Sequence, residues 1–197
     1  MTAPEAPSLA MEMPAGPADV APLVVAAGVP EVYSSGEPGA SGPTMREQLL
    51  ALYVAGPNDL RAAVRGLSDN QLDTPQGDGQ WSARELVIHL ADAELHGIAR
   101  MRRIIAEPGS ALQPYDQDRW VRALATATPL ELALDLFAAL RRVGAEILRT
   151  ASDAQRARTC LHPEHGKLSL DELLQTHALH AEHHIRQLRA FRATQGW

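Results

Sequence analysis

From Met45 to the C-terminus, apolar residues recur every three or four positions, the period of α-helices that each bury one face. The spacing predicts four long helices at about 44–65, 82–106, 129–150 and 169–193, with a short helix near 116–124. Three of the starts read as capping boxes: Ser82 with Glu85, Thr128 with Glu131, and Ser169 with Glu172. In each, the hydroxyl can accept from the third helical amide while the carboxylate reaches back to the cap. Pro129 falls at the first helical position, where its missing N–H costs nothing. Trp81 with Leu86, and Leu168 with Leu173, are spaced as hydrophobic staples. Gly56-Pro57 is expected to kink or break the first helix, because proline removes a hydrogen bond and clashes one turn back. The expected fold is therefore all-α, a four-helix bundle, with connections longer than an idealised bundle uses.

The stripes differ in what they carry. In the third helix Leu132, Leu136, Leu140, Val143 and Ile147 predict an all-apolar inward face. In the last helix the stripe of Leu170, Leu173, Leu174, Ile185, Leu188 and Phe191 is interrupted by His177, His180 and His184. The second helix runs inward through Leu86, Leu90, Ala93, Met101 and Ile104, with His89 on the edge of that stripe. His180 and His184, four residues apart, stand about 40° apart around the helix, so both rings can reach one ion. His89 on a facing helix completes a three-nitrogen site with a coordination position left open. Such a donor set suits zinc, nickel, iron or copper and disfavours magnesium and calcium. The angle of His177 also permits contact with the ion, and it is assigned a supporting or substrate-facing role. His96, His162, His165 and His183 are expected at surface, loop or supporting positions. Asp92 and Glu85 near His89, and Asp171 or Glu182 near the pair, are candidates to orient the rings.

Residues 1–43 have no such period. They hold eight of the fourteen prolines, five acidic residues and no Lys or Arg. A segment of this kind cannot easily bury enough apolar surface to offset its ordering entropy, so 1–43 is expected to be a mobile or loosely docked arm and 44–197 the bundle domain. The strand signal is confined to the arm, and a docked arm would meet the bundle through Leu23-Val24-Val25 or Val32-Tyr33. Its longest apolar run, Val20 to Val29, is broken by Pro22 and Gly28 and is too short to span a bilayer. With no basic residue ahead of that run to mark a secretory signal, a cytoplasmic location is expected. A formal net charge of -6 offers no footprint for nucleic acid or an anionic membrane. A single cysteine, Cys160, excludes an intramolecular disulfide framework and a thiolate zinc site.

The segments Trp81-Ser82-Ala83-Arg84-Glu85, His89-Leu90-Ala91-Asp92, His162-Pro163-Glu164-His165-Gly166 and His180-Ala181-Glu182-His183-His184 resemble, in order and separation, the DinB/YfiT-like superfamily of metal-binding four-helix bundles. The resemblance covers about 44–194, and its YfiT-like branch is the nearer, through Gln113-Pro114-Tyr115-Asp116, Trp120 and Arg100. It implies His89, His180 and His184 as ligands of one divalent transition-metal ion per chain, zinc or nickel, and a homodimer. It also implies a metal-dependent hydrolase or a bacillithiol S-transferase, with Arg100, Tyr115 and Trp120 as substrate-binding positions. Where the branch has a Tyr and a second aromatic ahead of the paired ligands, this chain has His177 and Leu179, so a different side chain faces the substrate. The leading expectation is a detoxifying enzyme whose metal activates a low-molecular-weight thiol for transfer to an electrophilic substrate. The alternative is hydrolysis of an amide or ester, with Glu164, His165 or His177 as the base. A third reading is a non-catalytic metal-binding module whose acidic arm recruits a partner.

Overall fold

The computed structural model describes residues 42–125 and 127–197, so the expectations for the arm lie outside the described residues. The elements are α1 (Met45–Val64), α2 (Asp69–Leu72), α3 (Ala83–Ala106), α4 (Gln117–Leu124), α5 (Leu130–Thr150), α6 (Asp153–Arg156), β1 (Cys160–His162), β2 (Gly166–Leu168) and α7 (Leu170–Gln195). The four long helices make the bundle. Two apolar clusters fill it, one at each end: Leu60, Leu86, Leu90, Leu134, Phe137, Ile185 and Leu188 belong to the first, and Leu49, Ile98, Met101, Ile104, Leu148, Leu170 and Leu173 to the second. The order in which each helix visits the two clusters gives its direction. Helices α1 and α7 run one way and α3 and α5 the other, and α1 packs beside α7 as α3 packs beside α5. Parallel neighbours cannot be joined by a short turn, so the 107–129 connection crosses the length of the bundle and carries α4.

Ser82 and Ser169 form the expected capping boxes, and three more occur at Thr44, Ser68 and Ser152. The expected box at Thr128 is absent. Pro129 takes the cap position with extended backbone and no side-chain cap bond. This shift puts Glu131 one place too early to reach back, and it pairs with Arg61 at 2.5 Å instead. Two further expectations are corrected. A strand pair, β1 with β2, forms outside the arm, Cys160 facing Leu168. Its first strand docks on the crossover, where Leu112 N–H donates to the Leu161 carbonyl at 2.8 Å. Helix α1 also runs unbroken through Pro57. The Tyr53 carbonyl that Pro57 cannot serve accepts from Arg141 Nη1 at 3.1 Å, so a side chain of α5 replaces the lost backbone donor.

The buried face of α5 is rotated from the predicted stripe, of which only Leu140 and Ile147 pack, half-buried, against the second cluster. Leu132, Leu136 and Val143 are exposed at 62%, 42% and 40%, while Ala133, Leu134, Phe137, Arg141, Gly144, Ala145 and Leu148 are buried. Small residues win this face because they admit a neighbour. A Cβ on Gly144 would stand 2.1 Å from the Tyr53 hydroxyl and 2.9 Å from Ile98 Cδ1.

Candidate metal centre

His89 comes from α3, one turn into the helix that Ser82 caps, and His180 and His184 from successive turns of α7. The three rings meet through the same atom: His180 Nε2 lies 3.0 Å from His89 Nε2 and 3.0 Å from His184 Nε2. No arrangement of protons satisfies this cluster, because one nitrogen facing two others can share a hydrogen with only one. A single ion satisfies all three. Metal–imidazole bonds of ~2.0–2.1 Å in a tetrahedron set the nitrogens about 3.3 Å apart, close to what is observed. The donors fit the ion, and they are ready for it. Burial, with the neighbouring His184, pushes His89 well below the ordinary histidine range; burial, with His184 and His89, does the same to His180. Burial also brings His184 down to about 4, against the opposing hydrogen bond that its Nδ1–H donates to Gln187 Oε1. The rings are therefore neutral ligands at physiological pH.

Their outer surfaces are set by different means. His184 Nδ1 is 3.0 Å from Gln187 Oε1, an orienting partner that sequence reading missed although it lies only three residues on. Trp81, the staple residue, covers the His89 ring at 4.5 Å between centroids and the His184 ring at 6.4 Å. His89 Nδ1 and Asp92 Oδ2 are buried without a hydrogen-bond partner among the described residues. Glu85 is committed to its capping box and Asp171 to Arg46.

His177 is not part of the converging trio; it turns toward a second polar cluster in the bundle core. Glu94 and Arg141, exposed by only 1% and 2%, form an ion pair with Arg141 Nε 2.7 Å from Glu94 Oε2. The Tyr53 hydroxyl donates to Glu94 Oε1, His177 Nδ1 stands 3.5 Å from Glu94 Oε2, and Arg141 Nη2 donates to the His177 carbonyl at 2.7 Å. The Arg141 guanidinium lies over the Tyr53 ring, 4.0 Å from its centroid. Burial alone would raise the Glu94 pKa; Arg141, His177 and the Tyr53 hydroxyl outweigh it and hold the carboxyl at about 2. The His177 ring fits only because residue 97 is glycine, where a Cβ would stand 2.4 Å from its Cε1.

The remaining expected site residues fall into two groups, one on α3 and the crossover and one on the hairpin. Arg100 Nη2 donates to the Gln113 carbonyl at 3.3 Å. Tyr115 stacks on His96 at 3.9 Å, and Trp120 abuts both rings at 4.9 and 5.3 Å. On the hairpin, His162 is buried, Glu164 exposed and His165 half-buried. Their ligand atoms lie within 4.8 Å of one another, and the Glu164 amide donates to His162 Nδ1 at 3.2 Å. His183 is exposed.

With this geometry in hand, similarity to known proteins is informative. The family model described as the DinB superfamily matches residues 52–188. A Geobacillus kaustophilus protein named "Putative metal-dependent hydrolase" is 35% identical over 154 residues, covering 77% of this chain and 86% of its own length. The Bacillus subtilis protein YfiT, of the same designation, is 33% identical over 144 residues, 72% of this chain and 80% of its own. The solved structure of YfiT, described as a probable metal-dependent hydrolase with an unusual four-helix bundle topology, superposes with a TM-score of 0.74 at 27% identity, covering 83% of this chain and 94% of that one. A second four-helix bundle, TT2238, gives a TM-score of 0.55 at 24% identity over 74% and 98% of the two chains.

Proposed function

The chain belongs to the DinB superfamily, and from that premise we propose that it is a metal-dependent enzyme delivering a low-molecular-weight thiol, of the bacillithiol type, to an electrophilic substrate. The observation that carries the reading is the convergence of three neutral Nε2 atoms of His89, His180 and His184 within 3.0 Å contacts, a donor set for one divalent zinc or nickel ion. Bound there, such an ion supplies positive charge that lowers the pKa of a nucleophile beside it.

The chain's own residues do the rest. Trp81 shields the His89 ring, and Gln187 fixes the His184 ring with Nε2 inward. With its Nδ1 toward Glu94, His177 presents Nε2 as its proton-accepting atom. Thiol transfer asks for one proton to be removed; hydrolysis also asks for one to be returned to the leaving group. The carboxylate deepest in this part of the bundle, Glu94, is occupied by Arg141 and Tyr53 and held at about 2, so it is unsuited to shuttle a proton. That favours the thiol.

The name carried by the relatives supports a second reading, hydrolysis of an amide or ester, in which His177 removes the proton from water and the exposed Glu164 or half-buried His165 serves the leaving group. The test is consumption of thiol with monochlorobimane by zinc- and nickel-loaded protein across a panel of thiols. A rate above the metal-free control, lost in His180→Ala, is expected. No such rate with any thiol, alongside turnover of an activated ester, would replace the first reading by the second.

A further inference from the structure

Among the described residues seven large apolar side chains are exposed, and four of them, Leu95, Leu132, Leu136 and Val143, lie along one seam, where α3 packs on α5. On α5 they form a single strip with the half-buried Leu140 and Ile147, at spacings of three and four residues. The strip faces away from α1, since Arg61 of that helix takes the opposite edge of α5 through Glu131 and Asp135. On α3 the edge that meets it carries Ala91, Leu95, Ile98 and Arg102, and Ile98 Cδ1 lies close enough to Gly144 to forbid a Cβ there. Leu95, one turn before Ile98, therefore stands level with Leu140. Single apolar residues on a surface need no explanation, whereas a continuous strip of them marks a contact.

The chain itself supplies a segment suited to that contact. Residues 1–41 lie outside the described residues and join the bundle at Thr44, which caps α1. Arg46, two residues on, donates to the Leu148 carbonyl and pairs with Asp171 at 2.9 Å. The root of the arm is thus at the same end of the bundle as Ile147, where the strip begins. From Gly42 back to Tyr33 an extended chain spans about 30 Å, against about 17 Å of helix from Ile147 to Leu136. Val32-Tyr33 therefore reaches the middle of the strip. Charge agrees with length. Arg142, beside Val143, and Arg102, one turn past Ile98, bracket the strip; both are exposed and neither meets a carboxylate among the described residues. The arm has no Lys or Arg, and Glu31 and Glu37 flank Val32-Tyr33. Opposite charges at the rim of an apolar contact fix its register. Val32-Tyr33 also closes a shorter loop than Leu23-Val24-Val25, at a smaller cost in chain entropy.

We propose that Val32-Tyr33 docks within its own chain on the seam of α3 and α5, with Tyr33 over Leu95, Leu136 and Val143 and with Glu31 and Glu37 toward Arg142 and Arg102. Leu132, at the end of the strip farthest from the root, is left uncovered. The arm thereby occupies the surface for which a second copy of the chain would compete. The inference does not depend on the reaction at the metal centre.

The test is photo-crosslinking of the full-length protein carrying p-benzoylphenylalanine in place of Leu136, with Leu95 as a second position in case the first variant fails to fold. After irradiation and cleavage at glutamate, the linked peptide is identified by mass. The expected product is a cross-link to residues 32–37 of the same chain, with no mixed species when isotope-labelled and unlabelled protein are irradiated together. Arg102→Glu with Arg142→Glu should reduce its yield about fivefold or more, and Arg102→Lys with Arg142→Lys should keep it. A link between the α5 peptides of two chains would give the strip to a second copy and overturn the arm assignment. So would a link to the arm of another chain, a link to Leu23-Val24-Val25 instead, no link to the arm from either position, or a yield indifferent to charge reversal.

Discussion

Three residues of α7 separate two polar clusters that the same bundle treats in opposite ways. Around His177, opposite charges are matched inside the core: Glu94 meets Arg141, Tyr53 and His177, and Arg141 also serves two backbone carbonyls. Around His180, three imidazoles of the same kind are pressed together with their Nε2 atoms at 3.0 Å and no counterion. The first cluster is completed by the protein's own groups, which fix the His177 ring through its Nδ1 and backbone. The second has no such completion among the described residues. Burial acts on both, and its consequence depends on the partner: it leaves Glu94 charged and His89, His180 and His184 neutral.

The largest effect expected from breaking this contrast is at Glu94. Glu94→Leu strands the Arg141 charge in the core and should cost about 3–5 kcal/mol in urea unfolding, whereas Glu94→Leu with Arg141→Met should recover only part of it, because the Tyr53 and His177 carbonyls then lose their donor. A single-variant loss below about 1 kcal/mol would show that the quartet is not a matched unit. The triad should behave in the converse way. Zinc at a hundred- to thousandfold excess over its dissociation constant should stabilise the parent by about 3–4 kcal/mol, and His180→Ala should lose that gain together with stoichiometric metal, while metal-free stability changes little.

The two clusters also titrate in separate windows. The triad histidines have folded pKa values below the unfolded ~6.5, so the unfolded chain takes up their protons first; their contribution is complete above that value and drains away toward about 4, where His184 finally charges in the fold. Each histidine adds about 1.4 kcal/mol per pH unit to the slope. Glu94 loses its contribution only between its ordinary range and about 2. Urea midpoints of the metal-free protein across pH 7 to 3 should therefore fall early in the parent and later in His89→Leu; a profile unchanged by that substitution would contradict a neutral, buried triad.

A smaller loss, about 1–3 kcal/mol, is expected for Gly97→Ala, whose Cβ would collide with the His177 ring. That variant should retain zinc while slowing turnover, which separates the two clusters in function as well as in stability. Leu132→Gln, on the exposed face of α5, should change stability by less than about 0.5 kcal/mol, and a large loss there would mean that this end of the strip is covered too.

The four long helices and the convergence of His89, His180 and His184 were legible because both rest on the helical period, and the period survives a change of side chain from leucine to histidine. The quartet was not, since Glu94 and Arg141 read as surface charges. A signal was nevertheless present: Glu94 is bracketed by Val87, Leu90, Ile98 and Met101, and Arg141 by Leu134, Phe137, Ala145 and Leu148, all on one stripe and all buried. On α5 the weight given to large apolar residues chose the wrong face, because Ala133, Gly144 and Ala145 let neighbours approach where leucines would not. Each strand of the hairpin is three residues long, too short for an alternating pattern to show. The continuity of α1 through Pro57 depends on a donor 84 places along the chain, on Arg141, which no local rule contains.

The parallel pairing of α1 with α7 has a consequence for how the molecule is made. Ribosomal synthesis delivers His89 long before His180 and His184, 91 residues separating the first contact pair, and the last helix has to slot in beside the first. Until it does, the bundle is open along one side and the trio has only His89 in place. Assembly of the trio is thus a late event that certifies a finished chain: a product cut short before His180 would lack two of the three converging nitrogens, whatever the state of its first three helices.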